Sequence, residues 1–290
     1  MLSKKKAILL LIIIIFTVNC YSCIVSTKNL VDYKLQQYKY LSTSIFKEFL
    51  FVDDYAKFAL VKINQHILQK KIYKSEDIFI VLSEINKLGQ IKNNDLSLFT
   101  VLYWVGNDNY LLASSSGKIN KPIDLSSRKY LDYSNKNFGK VIFSSPIIGV
   151  VSNENILPIS LTLTSEKGYI VGTSVLSVQI KELLTKLSQF KTPNEEFIIL
   201  SQNNILLSSY EDFQKIINQD KLSFSATKWQ IIFSFFSNKN KEFLLFEEKS
   251  EDFSIVIAVK RQYFVDEMKN IMLPYLVQAI NIILLLFFLR

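Results

Sequence analysis

Hydrophobic positions along the chain fall into three regimes. From Ala7 to Val25, directly after Lys4, Lys5 and Lys6, no residue is charged, and from Ile271 to Leu289 the chain is again uncharged. Each run is 19 residues long, which at the helical rise spans roughly 28 Å, close to the hydrocarbon thickness of a bilayer. The three lysines put the N-terminus on the cytoplasmic side by the positive-inside rule. A cleaved signal peptide is the competing reading, because Ala7 to Val18 alone suffices as its apolar core. The stretch Thr17-Val18-Asn19-Cys20 lacks the small residues of a lipoprotein box. Pro274 falls in the first turn of the second run, where a missing N–H costs little.

Between the two runs the pattern is helical first and then extended. Over residues 28–71, Ile45, Phe49, Val52, Ala56, Ala59, Ile63 and Ile67 recur at spacings of three and four, one apolar stripe with no Gly or Pro in its way. This predicts a long helix rising from the first span. A second helix is expected from Ser75 as N-cap to Gly89 as C-cap. His66, one residue from the stripe, reads as an ordinary helical side chain. From Leu96 onward the pattern turns to strands: Leu98 to Val105, Tyr110 to Ala113, Val141 to Val150, Ile156 to Thr164 and Tyr169 to Leu176. A short helix is expected over Asp124–Leu131, capped by Asp124 or Ser126, and another from Val178 to Phe190, ended by Pro193. A smaller strand set follows over Phe197–Leu200, Ile205–Ser208, Lys228–Phe236, Leu244–Glu247 and Phe253–Val259, with a helix over Asp212–Asn218. The second set reads as a reduced copy of the first, and Tyr110-Leu-Leu-Ala-Ser-Ser115 matches Asn204-Ile-Leu-Leu-Ser-Ser209 in place and texture.

Composition narrows the chemistry. One His and two Cys, both Cys in the first apolar run, leave no material for a zinc site, a haem ligand set or a Ser-His-Asp triad. No Gly-rich phosphate loop or nucleophile elbow is present. An enzyme is therefore not expected, nor a cofactor or metal. The net charge of +8 owes four charges to Lys4, Lys5, Lys6 and Arg290, and the rest are interspersed with acids without an arginine-rich face, so no nucleic-acid partner is expected. All 7 glycines lie between positions 89 and 172, where tight turns are needed.

The order of anchor, long helix, larger α+β unit, smaller α+β unit and second anchor resembles the double Cache extracytoplasmic sensors of bacterial histidine kinases, chemoreceptors and diguanylate cyclases. The marks are Trp104-Val-Gly-Asn-Asp108 followed by Leu111-Leu-Ala-Ser-Ser115, then Asp124-Leu-Ser-Ser-Arg-Lys-Tyr-Leu131, Phe143-Ser-Ser-Pro-Ile-Ile-Gly149, and Gly168-Tyr-Ile-Val-Gly172 running into Val175-Leu-Ser-Val. The resemblance implies an α+β fold, with two PAS-like antiparallel-sheet subdomains after the long helix. Its divisions are residues 1–26 for the first anchor, 27–95 for the two helices, 96–192 for the membrane-distal subdomain, 193–265 for the membrane-proximal one and 266–290 for the second transmembrane helix. It also implies a ligand pocket in the distal subdomain, with Arg128 as leading contact, Tyr130 as wall, Trp104 as floor and Ser174 in the last distal strand. Arg128 has a structural alternative, tying the short helix to neighbouring carbonyls, and Trp104 and Tyr130 have core packing as theirs.

Two departures from the family shape the expectation. Members that bind amino acids carry an Asp about where Ser174 stands, and an aromatic pair where Tyr130 is followed by Leu131. A free amino acid is therefore disfavoured and a small carboxylate or other polar solute expected. Nothing follows Arg290, which implies a truncated or output-less receptor, a separately encoded transmitter, or a remnant. The remaining expectations are a bacterial inner-membrane protein with residues 27–265 in the periplasm, and a homodimer through the 28–71 helix. A structural or adaptor role on an envelope protein is the alternative.

Overall fold

The computed structural model describes residues 4–72, 74–92, 100–201, 204–213, 221–224, 230–232, 242–250 and 252–288. Helix α1 (Lys4–Lys70) runs unbroken for 67 residues, roughly 100 Å at the helical rise. Its first turns are exposed on nearly all sides, from Ile8 to Val18, whereas every member of the predicted stripe is at most 1% exposed. The stripe is thus filled by this chain's own sheets. A dimer through α1 would therefore use its outer side, where Phe51, Val61 and Leu68 are exposed, and not the stripe itself.

Helix α2 (Ser75–Lys92) folds back on α1 and runs through Gly89 instead of ending there. The glycine serves close approach: a Cβ at position 89 would overlap the Tyr55 ring, with the phenolic oxygen 2.6 Å away. Leu98 and Phe99, the start of the first expected strand, lie outside the described residues.

Strands β1 (Thr100–Gly106), β2 (Tyr110–Ser114), β3 (Ile123–Asp124), β4 (Ile142–Phe143), β5 (Ile147–Ile148), β6 (Asn155–Thr164) and β7 (Ile170–Gln179) form the first sheet. Its order is β3-β2-β1-β7-β6-β4, with β5 also on β6, and every pairing is antiparallel. The expected single strand over Val141–Val150 is split into β4 and β5. Pro146 stands between them and has no N–H to give a ladder. Helix α3 (Lys129–Lys136) starts five residues after the expected Asp124. Asp124 pairs in β3 and accepts from the Ser126 N–H at 2.8 Å.

Helix α4 (Ile180–Ser188) leads to the second sheet, built from β8 (Glu195–Ser201), β9 (Asn204–Ser208), β10 (Lys221–Ser223), β11 (Phe243–Lys249) and β12 (Ser254–Lys260) in the order β10-β11-β12-β8-β9. The pairing of β10 with β11 is parallel. Residues 230–232 are helical and not extended as expected, and the rest of Lys228–Phe236 lies outside the described residues. Of the helix expected over Asp212–Asn218, residues 212 and 213 are in a turn and the remainder lie outside them.

The internal repeat is visible in the hydrogen bonding. The run β2-β1-β7-β6 of the first sheet corresponds to β9-β8-β12-β11 of the second. The Leu102 N–H donates to Ser115 Oγ at 2.9 Å while the Ser115 N–H donates back to the Leu102 carbonyl at 2.8 Å. Phe197 and Ser209 repeat both bonds, at 2.8 and 3.0 Å. Each hairpin then shifts register between the third and fourth residues of that count, at Trp104/Val105 and at Ile199/Leu200.

Helix α5 (Arg261–Phe288) returns alongside α1. Asn19 Nδ2 donates to the Tyr275 carbonyl at 2.9 Å, and the Ser26 and Tyr275 hydroxyls lie 2.9 Å apart. Below the second sheet, Lys34 and Glu267 make an ion pair at 2.9 Å. Both α1 and α5 contain a segment long and apolar enough to cross a membrane.

Candidate functional site: the Arg128 cleft

The two faces of the first sheet carry different chemistry. One rests on α1 and α2 through Leu102, Trp104, Leu157, Ile159, Leu161, Leu176 and Val178, all in the main core. The opposite face presents Tyr103, Val105, Leu111 and Val175, with small hydroxyl residues Ser160, Thr162, Thr173 and Ser177 along β6 and β7. Alternation in a strand makes this division, because neighbours point to opposite faces.

The segment after β3 is held over the second face. The Leu125 N–H donates to the Asn109 carbonyl at 2.9 Å, and the Arg128 N–H to the Leu125 carbonyl at 2.9 Å. Arg128 is the N-cap of α3 in extended conformation, with no side-chain capping bond. At the far end of α3, the buried Ser134 and Thr162 hydroxyls lie 2.9 Å apart, and Thr162 and Thr173 both donate to Asn135 Oδ1, at 3.0 and 3.2 Å. This cluster pins the helix to the sheet and fixes where its N-terminus stands.

Arg128 and Tyr130 come together in one cleft, with Tyr103, Val105, Val175 and Ser177 from the sheet and Ile147, Gly149, Val150 and Val151 from the loop around β5. Its enclosed part measures about 30 Å³, enough for one water. It adjoins an open groove of about 450 Å³ that shares Arg128, Tyr130 and Ile147 and continues past Ser144 and Ser145 to Asn204. No Asp or Glu lines either space among the described residues, whereas Arg128 and Lys129 do. The Ser144 hydroxyl is buried in the groove without a hydrogen-bond partner among them. Burial pushes the Tyr130 phenol up to about 12, against the pull of Arg128, and pushes Tyr103 up to about 12 as well.

Trp104 and Ser174 are on the other side. They pair with each other across β1 and β7, and both face the helices. The indole lies over Gly172, where a Cβ would overlap it, and Ser174 donates to the Leu161 carbonyl at 3.2 Å with no exposed surface. The expected floor and last-strand contact are therefore core residues. The groups actually on the cleft face are their neighbours Tyr103 and Val175, joined by Ser177 and by Ser144, which sequence reasoning missed. A period-two count from Val105 finds Tyr103, and one from Val175 finds Ser177. Ser144 has no such signal, since it lies between strands.

Among the described residues no group of three or more His, Cys, Asp or Glu gathers closely enough to hold a metal. Together the cleft and the groove offer a guanidinium, a hydroxyl with no partner among the described residues, and two protonated phenols. That set suits an anionic or strongly polar small molecule.

No protein-family model matches the chain, and no curated protein matches it. Solved structures do. The ligand-binding domain of the Pseudomonas fluorescens chemoreceptor CtaA, in complex with L-serine, matches at TM-score 0.52 and 12% identity, over 81% of this chain and 98% of that one. That of the Campylobacter jejuni chemoreceptor Tlp3, in complex with L-norvaline, matches at 0.50 and 16%, over 81% and 94%. The ligand-binding domain of Mlp24 with asparagine matches at 0.50 and 15%, over 86% and 99%. At these identities the likeness is one of fold, and the fold is that of a double Cache sensor domain.

Proposed function

We propose that the region between the two apolar segments is the sensing part of a receptor in a bacterial inner membrane, facing the periplasm. In this reading the Arg128 cleft takes a small solute bearing a carboxylate, and no catalytic step is involved. The observation that carries the reading is electrostatic. Arg128 lines the cleft and the groove beside it, and neither is lined by an acidic side chain among the described residues. A guanidinium so placed is matched by a carboxylate, which it meets with two parallel hydrogen bonds. The unpartnered Ser144 hydroxyl gives the same ligand a further contact.

The structures compared above hold L-serine, L-norvaline and asparagine. An amino acid brings an ammonium that also needs a negatively charged acceptor, and no Asp or Glu lines the cleft or the groove among the described residues, while Ser174 faces away from both. Simple carboxylates are therefore favoured over amino acids.

The test is a thermal-shift screen of the full chain in detergent micelles against small mono- and dicarboxylates, amino acids, polyamines and sugars. A carboxylate at 100 times its dissociation constant adds about 2.7 kcal/mol, roughly 5–10 °C. That shift is expected to vanish in Arg128→Ala and to shrink in Arg128→Lys. A shift from an amino acid but from no simple carboxylate would overturn the ligand class. The small size of the enclosed cleft favours a second reading, an adaptor holding an envelope protein, and a chain that melts cooperatively yet answers to no solute would support it.

A further inference from the structure

Away from the Arg128 cleft, a buried carboxylate on α1 has one oxygen that no group among the described residues completes. Asp53 on α1 is 4% exposed. Its Oδ2 accepts from Lys57 Nζ at 2.8 Å, while Oδ1 is buried with no hydrogen-bond partner among the described residues. A carboxylate oxygen can only accept, so burial without a donor or a positive charge is costly.

Asp53 lines a cavity of about 80 Å³, several times the space one water needs. Its walls come from three parts of the fold. Asp53 and Lys57 belong to α1, Tyr133 to α3 above the first sheet, and Ser201, Asn204 and Asp252 to the second sheet and its turns. The cavity also touches Phe143 and Phe253, which stack edge to face at 5.0 Å where the two sheets and α1 meet.

The charge there is unbalanced. Lys57 Nζ lies 2.8 Å from Asp53 and 3.9 Å from Asp252, so a single ammonium is shared between two carboxylates, with Asp54 adding its field. Burial drives the Asp53 carboxyl upward; Lys57 opposes this, and Asp54 and Asp252 add to it. Among the described residues Lys57 is the one cation lining the cavity, and it is shared between two carboxylates.

We propose that this junction is a second binding site, for a small monovalent cation held between Asp53 and Asp252 with neutral oxygens from Ser201 and Asn204. The chemistry is shared by an inorganic ion such as sodium or potassium and by a primary alkylammonium. Two carboxylates with neutral oxygens suit a single charge better than the charge-rich cages that bind calcium. An ion there ties the long helix to the second sheet at the point where the first sheet rests on both. The site uses none of the residues of the enclosed Arg128 cleft, but it shares Tyr133, Phe143 and Asn204 with the groove beside it, so the Arg128→Ala variant is the control that separates the two readings.

The test uses the full chain in detergent micelles in buffered choline chloride, with choline replaced stepwise by sodium, potassium, methylammonium, magnesium or calcium at constant ionic strength. The unfolding midpoint is read by intrinsic fluorescence. A monovalent cation is expected to raise it saturably, by roughly 3–10 °C. The shift should disappear in Asp53→Asn, need at least about tenfold more cation in Asp252→Asn, and persist in Arg128→Ala. Asp252 is 68% exposed in its side chain, so its Asn variant keeps the test open should Asp53→Asn fail to fold. Comparison of the metal ions with methylammonium identifies the source. Midpoints equal in every salt would overturn the proposal and leave a proton as the group that satisfies Asp53. A shift that survives both Asn variants, or one given by the divalent ions alone, would overturn it too.

Discussion

Arg128 earns its place by position more than by sequence. It stands at the end of α3 whose other end is pinned through Ser134 and Asn135 to Thr162 and Thr173, so the guanidinium is carried on a short, anchored lever. The phenols beside it report on the site. Burial holds both Tyr130 and Tyr103 up at about 12, against an ordinary value near 10. Both stay neutral in the folded chain while unfolded tyrosine ionises. Their contribution to stability is whole below about pH 10 and is lost as the pH rises through about 12. Phenolate absorbance followed on alkaline titration should show both among the late-ionising tyrosines, with Tyr38, Tyr55 and Tyr263 also held up, and one late step should be missing in Tyr130→Phe and another in Tyr103→Phe. Because Arg128 pulls the Tyr130 value down, a bound carboxylate should move the Tyr130 step higher and leave Tyr103 nearly still. Equal movement of both, or of neither, would place the ligand elsewhere. That Tyr103 faces the cleft and Trp104 does not was illegible in the sequence. The strand alternation is plain, but its phase depends on which face the helices cover, and that is a long-range fact.

The elements themselves were readable where one local pattern decided them. The α1 stripe is the clearest case: a spacing of three and four, no breaker, and every member buried. Strands β6 and β7 are buried on both faces over most of their length, so they read as near-continuous apolar runs with small hydroxyls. Elements went wrong where a residue had two uses. Gly89 was taken as a helix end because glycine commonly is one, but tertiary contact with Tyr55 is its reason. Strand β10 has only three residues and gains its identity from pairing with β11, which no local pattern announces. The stripe also yields a paired test. Ile63, with no exposed surface, should cost about 2–4 kcal/mol when changed to Ala. Val61, 40% exposed on the outer side, should cost within about 0.5 kcal/mol when changed to Ser. Denaturant unfolding of the two variants checks this, and similar costs would mean the outer face is covered as well.

At the scale of the whole molecule, the question is how the sheets are joined to the apolar segments of α1 and α5. Phe49 of α1 meets Phe143 of the first sheet and Phe253 beside the second, with ring centroids 5.9 and 5.1 Å away, so the long helix touches both lobes at one aromatic cluster. Nearer those apolar segments, α1 and α5 are joined by charge. Lys34 has a side chain only 7% exposed, pairs with Glu267 at 2.9 Å and lies 4.9 Å from the centre of the Tyr263 ring. Burial works against the lysine's charge, but the bond and field of Glu267, helped by Tyr263, outweigh it and raise its proton affinity. Removing one partner leaves the other stranded, which is worse than removing both. Glu267→Gln should therefore cost about 1–3 kcal/mol, discounted from a fully buried pair because Glu267 is partly exposed. Lys34→Met in the Glu267→Gln background should restore most of that loss, since no buried charge then lacks its partner. Unfolding midpoints of the two single variants and the double, measured on the full chain in micelles, give the coupling between the helices. Losses that simply add would show that Lys34 and Glu267 act independently, leaving the joining of α1 and α5 to other contacts, among them the Asn19 and Ser26 bonds to Tyr275.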